Sequence, residues 1–478
     1  MSIKNSYVKI IFAGLIIAIF SVFFLMYSNK SIEKIMKKYD VPGLSIVTIE
    51  NGDIILQKVY GFKNAEKRDL IDENTLFEAA SMSKPLFAYG VLKMVESGKL
   101  DLDKPLSEYF VYSNVKDDSR LAKITARMVL NHTTGFPNWR QKGKDLKIYF
   151  EPGERFSYSG EGFVYLQKVV EKISGQSLEE YMQKNVLIPL GMTHSSYILK
   201  KEQCDQKAFG HDFTGHPLPR GVCELENANG AASLHTTACD YAKFVQAIIK
   251  NMGLKPETIN EMLYSQIVVG SDGHEFTDAI PKELSKTISW GLGWGLQKTE
   301  KGLSFWHWGD NDGFKCYVVG SKDDGNAIII FTNSDNGIVA ISEIVENIIE
   351  IVENITGISH PALKWLNYKI TTFKWLDYKM PKKRKVFAIN PEVYDRYVGT
   401  YKAEKEPFTF IVTKEQNKLF IELVEQKDKR EVYPESETEF FLTSIDVQFS
   451  FVKDKAGEFT KLILHQDGND TACDRVQK

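Results

Sequence analysis

Three short stretches hold residue types that together can move an acyl group. The first is Ser81-Met82-Ser83-Lys84, inside FEAASMSKPLFAYGVLKMVESGKL. A serine at its ordinary pKa is a poor nucleophile and needs a base beside it. If a helix starts near Ser81, Lys84 stands one turn along on the same face, because side chains at i and i+3 are neighbours. A lysine withdrawn from water can lose its charge and act as that base. A helix N-terminus also offers backbone N–H groups to a developing oxyanion. Alone, the same four residues equally describe a helix cap with a surface lysine. The second stretch is Tyr158-Ser159-Gly160, at a turn before a helical pattern. A phenol beside a lysine can shuttle a proton, although a buried aromatic at a helix entrance has the same sequence. The third is His307-Trp308-Gly309, leading into a strand. A histidine with a close-approach glycine by an edge strand can line a cleft where substrate backbone docks.

The elements that must position these residues are legible from their periods. GLSIVTIE and DIILQKVYGF flank Asn51-Gly52, a strong hairpin signal. FKCYVVGSKDDGNAIIIFTN repeats the form, with its turn at Asp323, Asp324 and Gly325. Amphipathic helical patterns lie between, at Leu86–Ser97 and Gly162–Ile173, and GIVAISEIVENIIEIVENITG closes at Gly357. Strands at both ends with helices between predict one α+β domain over residues 31–357, its sheet joining the two ends. Residues 358–391 read as a linker, in which LKWLNYK nearly repeats as FKWLDYK before the basic Pro381–Lys385. Over 392–478, the runs FTFIVTK, KLFIELVE, EFFLTS, VQFSFVKD and FTKLILHQ are separated by turn signals. They predict a small antiparallel barrel with no nucleophile–base arrangement of its own.

A chain of 478 residues exceeds one ordinary core, and 43% hydrophobic with 26% charged residues is a globular balance. A net charge of −3 argues against nucleic acid as a partner. The five cysteines lack C-x-x-C spacing, and there is no H-E-x-x-H or H-x-H, so neither metal nor other cofactor is expected. Cys204 and Cys223 are candidates for a bridge in an oxidising compartment. G-x-S-x-G is absent, against an α/β-hydrolase. Lys4 and Lys9 precede an uncharged run from Ile10 to Tyr27, long enough to span a bilayer and longer than a signal h-region. With no A-x-A-like cleavage site after it, residues 1–30 are expected to be a signal-anchor. The membrane is then a partner, and the folded part lies in the periplasm or outside the cell.

Together and in this order, the three stretches resemble the serine β-lactamase and penicillin-binding-protein superfamily, in its class C-like, S12-type branch. MVLNHTTGFPNW (128–139), NGAASLHTTACDYAKF (229–244), WGLGWGL (290–296) and GFKCYVVGSKDDGNAIIIFTNSDNG (313–337) fit the same branch. From YDRYVGTYKAE onward the chain is similar to a lipocalin-like domain appended to some members. The resemblance implies an antiparallel sheet flanked by helices, plus a helical subdomain. It implies that Ser81 is acylated, that Lys84 and Tyr158 share general-base duty, and that His307 takes the place of the lysine in K-[ST]-G. The oxyanion hole would use the backbone N–H of Ser81 and that of Asp310, with Gly309 and Gly160 beside the substrate.

Two departures bear on the substrate. Gly160 replaces the asparagine of Y-x-N, and His307 replaces a permanent cation that attracts the carboxylate of penicillins and D-Ala-D-Ala ends. Ser334-Asp335-Asn336 spells S-D-N but follows the H-x-G element, so turn and cap chemistry accounts for it. The expectation is a serine hydrolase acting through an acyl-enzyme on an ester, or on a small D-amino-acid peptide or amide. A true β-lactamase or D,D-carboxypeptidase is the rival enzyme. A non-catalytic penicillin- or peptidoglycan-binding module is the rival of another class.

Overall fold

The computed structural model describes residues 31–478 except 141–143, 219–226, 270–287, 300–301, 346–383, 385, 404–407, 425–427, 443–446, 467–468 and 478. They form two compact units, one built on a nine-stranded sheet and one on a closed barrel. Ile10–Tyr27, most of the linker and the end of the helical run at Gly357 lie outside the described residues. Among the described residues, no helix is long and apolar enough to cross a membrane.

The first unit contains β1 (Gly43–Glu50), β2 (Asp53–Asn64), β3 (Asp69–Leu70), β4 (Phe77–Glu78), β5 (His235–Thr236) and β6 (Ile267–Val268). It continues with β7 (Ile288–Trp290), β8 (Gly295–Thr299), β9 (Gly302–Asn311), β10 (Phe314–Ser321) and β11 (Asn326–Thr332). The sheet order is β3-β2-β1-β11-β10-β9-β8-β7-β6, and β4 pairs with β5 as a separate ribbon. The two ends of the unit do meet in one sheet: β1 pairs antiparallel with β11, with Ile46 opposite Ile330. Asn51 and Gly52 both have positive φ, 52° and 79°, as a two-residue hairpin turn requires.

The sheet is covered on both faces, which explains why β11 reads as a nearly unbroken apolar run. Ala327, Ile329 and Phe331 point into one core, and Ile328 and Ile330 into the other. The helices are α1 (31–38), α2 (Ser83–Glu96), α3 (Ala126–Leu130), α4 (Gly160–Ser174), α5 (Leu178–Met182), α6 (Ala238–Ile249), α7 (Pro256–Met262) and α8 (337–345). Ile32 and Ile35 of α1 and Ile338, Ile341 and Ile344 of α8 cover one face. On the other, α2, α4 and α6 bury Phe87, Phe163 and Phe244. Both α2 and α4 begin earlier than their apolar periods suggest, because α2 continues directly from the 3₁₀ turn that carries Ser81 and α4 is started by a cap. The Ser159 hydroxyl accepts the N–H of Gly162 and starts α4 directly after Tyr158.

The second unit is the barrel β12 (Gly399–Ala403), β13 (Thr409–Glu415), β14 (Lys418–Leu423), β15 (Asp428–Pro434), β16 (Glu439–Phe441), β17 (Val447–Lys453), β18 (Phe459–Gln466) and β19 (Asn469–Gln477), closed by pairing of β12 with β19. Its interior is packed with Tyr397, Tyr401, Phe410, Phe440, Phe449, Phe451 and Phe459. Each such ring contributes about 1.5–3 kcal/mol by leaving water.

Candidate active site

Ser81 sits on a tightly constrained turn. Ala80 is in the left-handed region at φ 47°, which costs a residue bearing a Cβ about 1 kcal/mol. Ala80–Met82 make one 3₁₀ turn that runs straight into α2. Ser83 Oγ donates to Ala80 O at 2.6 Å and accepts the N–H of Leu234 at 3.0 Å. Tyr241 OH donates to Met82 O at 2.9 Å, and Tyr197 OH to Ser83 O at 3.0 Å. The second serine of the motif is therefore a buried clamp, while Ser81 keeps part of its surface exposed.

Lys84 is fully buried, and its Nζ donates to Ser81 Oγ at 2.9 Å and to Ala231 O at 2.9 Å. Removal from water disfavours the ammonium and brings its pKa down from 10.5 to about 7. Aromatic rings surround it: Nζ lies 4.8 Å from the centre of Tyr158, 5.7 Å from Phe163 and 6.0 Å from Trp139. Tyr158 moves the other way. Burial pushes its phenol up, and the hydrogen bond with Ser81 only partly offsets this. Of the two expected bases, the lysine is the one whose basic form is populated near neutral pH. The tyrosine stays a neutral O–H.

His307 lies within β9 and not ahead of a strand, because β9 runs through Asn311 before turning into β10. Its Nδ1 is 2.7 Å from Trp308 O, an acceptor, so Nδ1 carries the proton and Nε2 presents a lone pair. Burial, with Lys84 nearby, lowers its pKa to about 3, so the ring is uncharged at neutral pH. Trp290 and Trp308 wall it in at 5.7 and 5.3 Å between ring centres.

Gly309 is required by a close approach. A Cβ there would fall 2.2 Å from Ala79 O and 2.4 Å from Cys316 Sγ, so only glycine lets β9 pass against the turn that carries Ser81. Asp310 follows, with its side chain exposed and ion-paired to Lys315 at 2.9 Å; Lys315 also binds Asp335 at 2.7 Å. Pairing of β8 with β9 ends at Gly295 and Trp306. Residues 307–311 therefore have β10 as their strand neighbour on one side only, among the described residues. Gly160 lies beneath the indole of Trp139, where a Cβ would meet three ring carbons at 2.5–2.8 Å. The structure thus brings Ser81, Lys84 and Tyr158 into direct contact, with His307 one ring away from Tyr158 at 6.2 Å between centres.

A beta-lactamase family model matches residues 29–351, more than half of the chain, and a domain of unknown function, DUF3471, matches residues 383–475. The chain belongs to the beta-lactamase family. It is a serine hydrolase, similar to penicillin-binding protein 4* of Bacillus subtilis at 26% identity, across 93% of this chain and 97% of that one. An octameric penicillin-binding protein homologue from Pyrococcus abyssi has the same fold, with a TM-score of 0.55 at 21% identity, over 94% of this chain and 99% of that one. A class C beta-lactamase matches with a TM-score of 0.56 at 21% identity, over 68% of this chain and 96% of its own.

Within this beta-lactamase-family site, two contributors had no chemical reading in the sequence. His132, in the NHTTG segment, stacks on Tyr158 with ring centres 4.3 Å apart. Its Nδ1 accepts the N–H of Ser159 at 3.0 Å, so it is a neutral ring with its proton on Nε2, and burial keeps its pKa well below the usual value. It fixes the phenol and the start of α4 together. The Ala231 carbonyl holds Lys84, and no side-chain signal could reveal it. Ser334 accepts the N–H of Asn336 at 3.1 Å, and Asn336 Nδ2 donates to Tyr39 O, so S-D-N is a structural turn. Cys204 is disulfide-bonded; Cys223, its expected partner, lies outside the described residues. Among the described residues, no cluster could hold a metal ion.

Proposed function

We propose that this beta-lactamase-family protein hydrolyses esters, or small D-amino-acid peptides or amides, through an acyl-enzyme on Ser81. The observation that carries the reading is the 2.9 Å contact from Lys84 Nζ to Ser81 Oγ, made by an amine that burial brings to a pKa of about 7. Neutral Lys84 takes the Ser81 proton as Oγ attacks the substrate carbonyl carbon. The backbone N–H groups of Ser81 and Asp310 receive the oxyanion. The leaving group departs with a proton relayed through the Tyr158 hydroxyl, which regains one from Lys84. Water then attacks the ester, losing its proton to Lys84, and the acid and free Ser81 are released.

Neutral His307 and side-chain-free Gly160 argue for an ester or amide substrate over β-lactams. Neither supplies the fixed positive charge or the amide that would hold a β-lactam's carboxylate and acylamido groups. For location, we propose an extracytoplasmic hydrolase tethered by residues 10–27; the disulfide at Cys204 supports an oxidising compartment. The test is labelling by a fluorophosphonate together with turnover of p-nitrophenyl esters, D-amino-acid amides and a chromogenic cephalosporin. Labelling and ester or amide turnover that both vanish in Ser81→Ala are expected. Labelling that survives Ser81→Ala would refute the nucleophile, and efficient cephalosporin turnover would refute the substrate class. Loss of membrane retention on deleting residues 1–30 is expected for the tether.

A further inference from the structure

We infer that Trp139 is the wall against which the acyl group of the substrate packs, and that the substrate class is acyl donors carrying a flat apolar or phenyl-bearing acyl chain. This deepens the reading of Ser81 as an acylated nucleophile and rests on it. Trp139 is a large aromatic left 47% exposed on a backbone that is tied down. Hydrogen bonds fix the backbone on both sides of it to the turn after Tyr158. Ser159 Oγ donates to Pro137 O at 2.8 Å, and the N–H of Gly160 donates to both Asn138 O and Asn138 Oδ1, at 3.0 and 3.1 Å. The N–H of Glu161 donates to Asn138 O at 3.0 Å, and the N–H of Arg140 to Glu161 Oε1 at 3.1 Å. The backbone that carries the indole is therefore held in place while the ring keeps 47% exposure, the form in which an aromatic ring binds a flat partner at little entropic cost.

Its position relative to the nucleophile follows from one amine. Lys84 Nζ is 2.9 Å from Ser81 Oγ and 6.0 Å from the centre of the indole, so the ring lies within a side chain's reach of the hydroxyl. The neighbouring groups carry little net charge. Lys84 is half-neutral near pH 7, Tyr158 is a neutral phenol, and Arg140 and Glu161 pair with each other. Gly160 completes the picture. Any side chain there would begin 2.5–2.8 Å from Trp139 Cη2, Cζ2 and Cζ3, so the indole occupies the space a residue at 160 would otherwise use. An aromatic surface stands where an amide could have stood, and it selects for apolar stacking in place of hydrogen bonding.

The experiment compares kcat/KM for p-nitrophenyl phenylacetate with that for p-nitrophenyl acetate, which share a leaving group and differ in the acyl chain. The phenylacetate-to-acetate ratio is expected to fall about tenfold in Trp139→Ala, and to stay near the wild-type ratio in Trp139→Phe. Gly160→Asn, which must displace the indole, is expected to lower the ratio as Trp139→Ala does. The double variant should fall no further, because both changes remove one surface. A ratio unchanged in Trp139→Ala, or additive losses in the double variant, would overturn the role of Trp139 while leaving the hydrolase intact. Hydrolysis of neither ester by a wild type whose Ser81 is still labelled by the fluorophosphonate would overturn the acyl-donor class alone; absence of labelling as well would overturn the reading of Ser81 on which it rests. A ratio is insensitive to partial misfolding, which lowers both rates alike.

Discussion

Both units of this chain are filled with aromatic rings, and they use them for opposite purposes. In the barrel, Tyr397 stacks on Phe451 at 4.6 Å and meets Phe459 edge-on at 4.7 Å, and the rings pack one another in an apolar interior. In the hydrolase unit, Trp290, Trp308, Phe163 and Tyr158 enclose a lysine and two histidines. The same dry packing that stabilises the barrel here drives ionisable groups into their uncharged forms. That is unfavourable for folding and is what makes Lys84 a base near neutral pH. Aromatic density alone does not mark a reactive site; a buried titratable group inside it, touching a partly exposed nucleophile, does.

The contrast can be sharpened by emptying each interior in turn. Lys84→Met should slow acylation of Ser81 by roughly 10³-fold, within the range for losing a general base. It should also raise the melting temperature. The lysine pKa falls from 10.5 unfolded to about 7 folded, so between those values the unfolded chain binds the extra proton and wild-type stability rises with pH. The advantage of the methionine variant should therefore grow as pH is lowered from about 10 to about 7, then level off, as read by thermal melts across that range. Tyr158→Phe should slow turnover by roughly 10²-fold, a smaller loss because the phenol relays a proton that water can partly supply. Phe451→Ala should destabilise the barrel by about 3–5 kcal/mol in denaturant melts. It should leave the rate of Ser81 labelling within about twofold, since Phe451 packs in the core of the barrel. A larger change in labelling would break the contrast.

Much of this was readable before the structure. Asn51-Gly52 fixed one hairpin, and Asp323 to Gly325 the other, because turn chemistry is local. The period of α4 marked a helix between the two hairpins. Three barrel strands did not announce themselves: β12 is short, and β15 and β19 carry DKREVYP and NDTACDRVQ, too polar to read as strands. They are held by ladders on both sides of a closed barrel, and that pairing is non-local. In the site, Ser81, Lys84, Tyr158 and His307 stood out by residue type and order. His132 and Trp139 did not, although both lie in the quoted MVLNHTTGFPNW, because a stacked ring and a displaced Cβ are facts of tertiary packing. The sequence did mark Gly160 and His307 as departures. The geometry gives each a physical content: one makes room for an indole, and the other presents a neutral lone pair where a cation would stand.

The central claim is that burial turns Lys84 into the base for Ser81, and the pH dependence of Ser81 labelling tests it most directly. The second-order rate constant for fluorophosphonate labelling should rise through pH about 7 as Lys84 loses its proton, then flatten. The curve should be unmoved in His307→Asn, because that ring, with a pKa of about 3, does not titrate in this range. A rate that keeps climbing toward pH 10.5, the lysine's ordinary value, would contradict the account. So would a limb near pH 6.5 that disappears with His307.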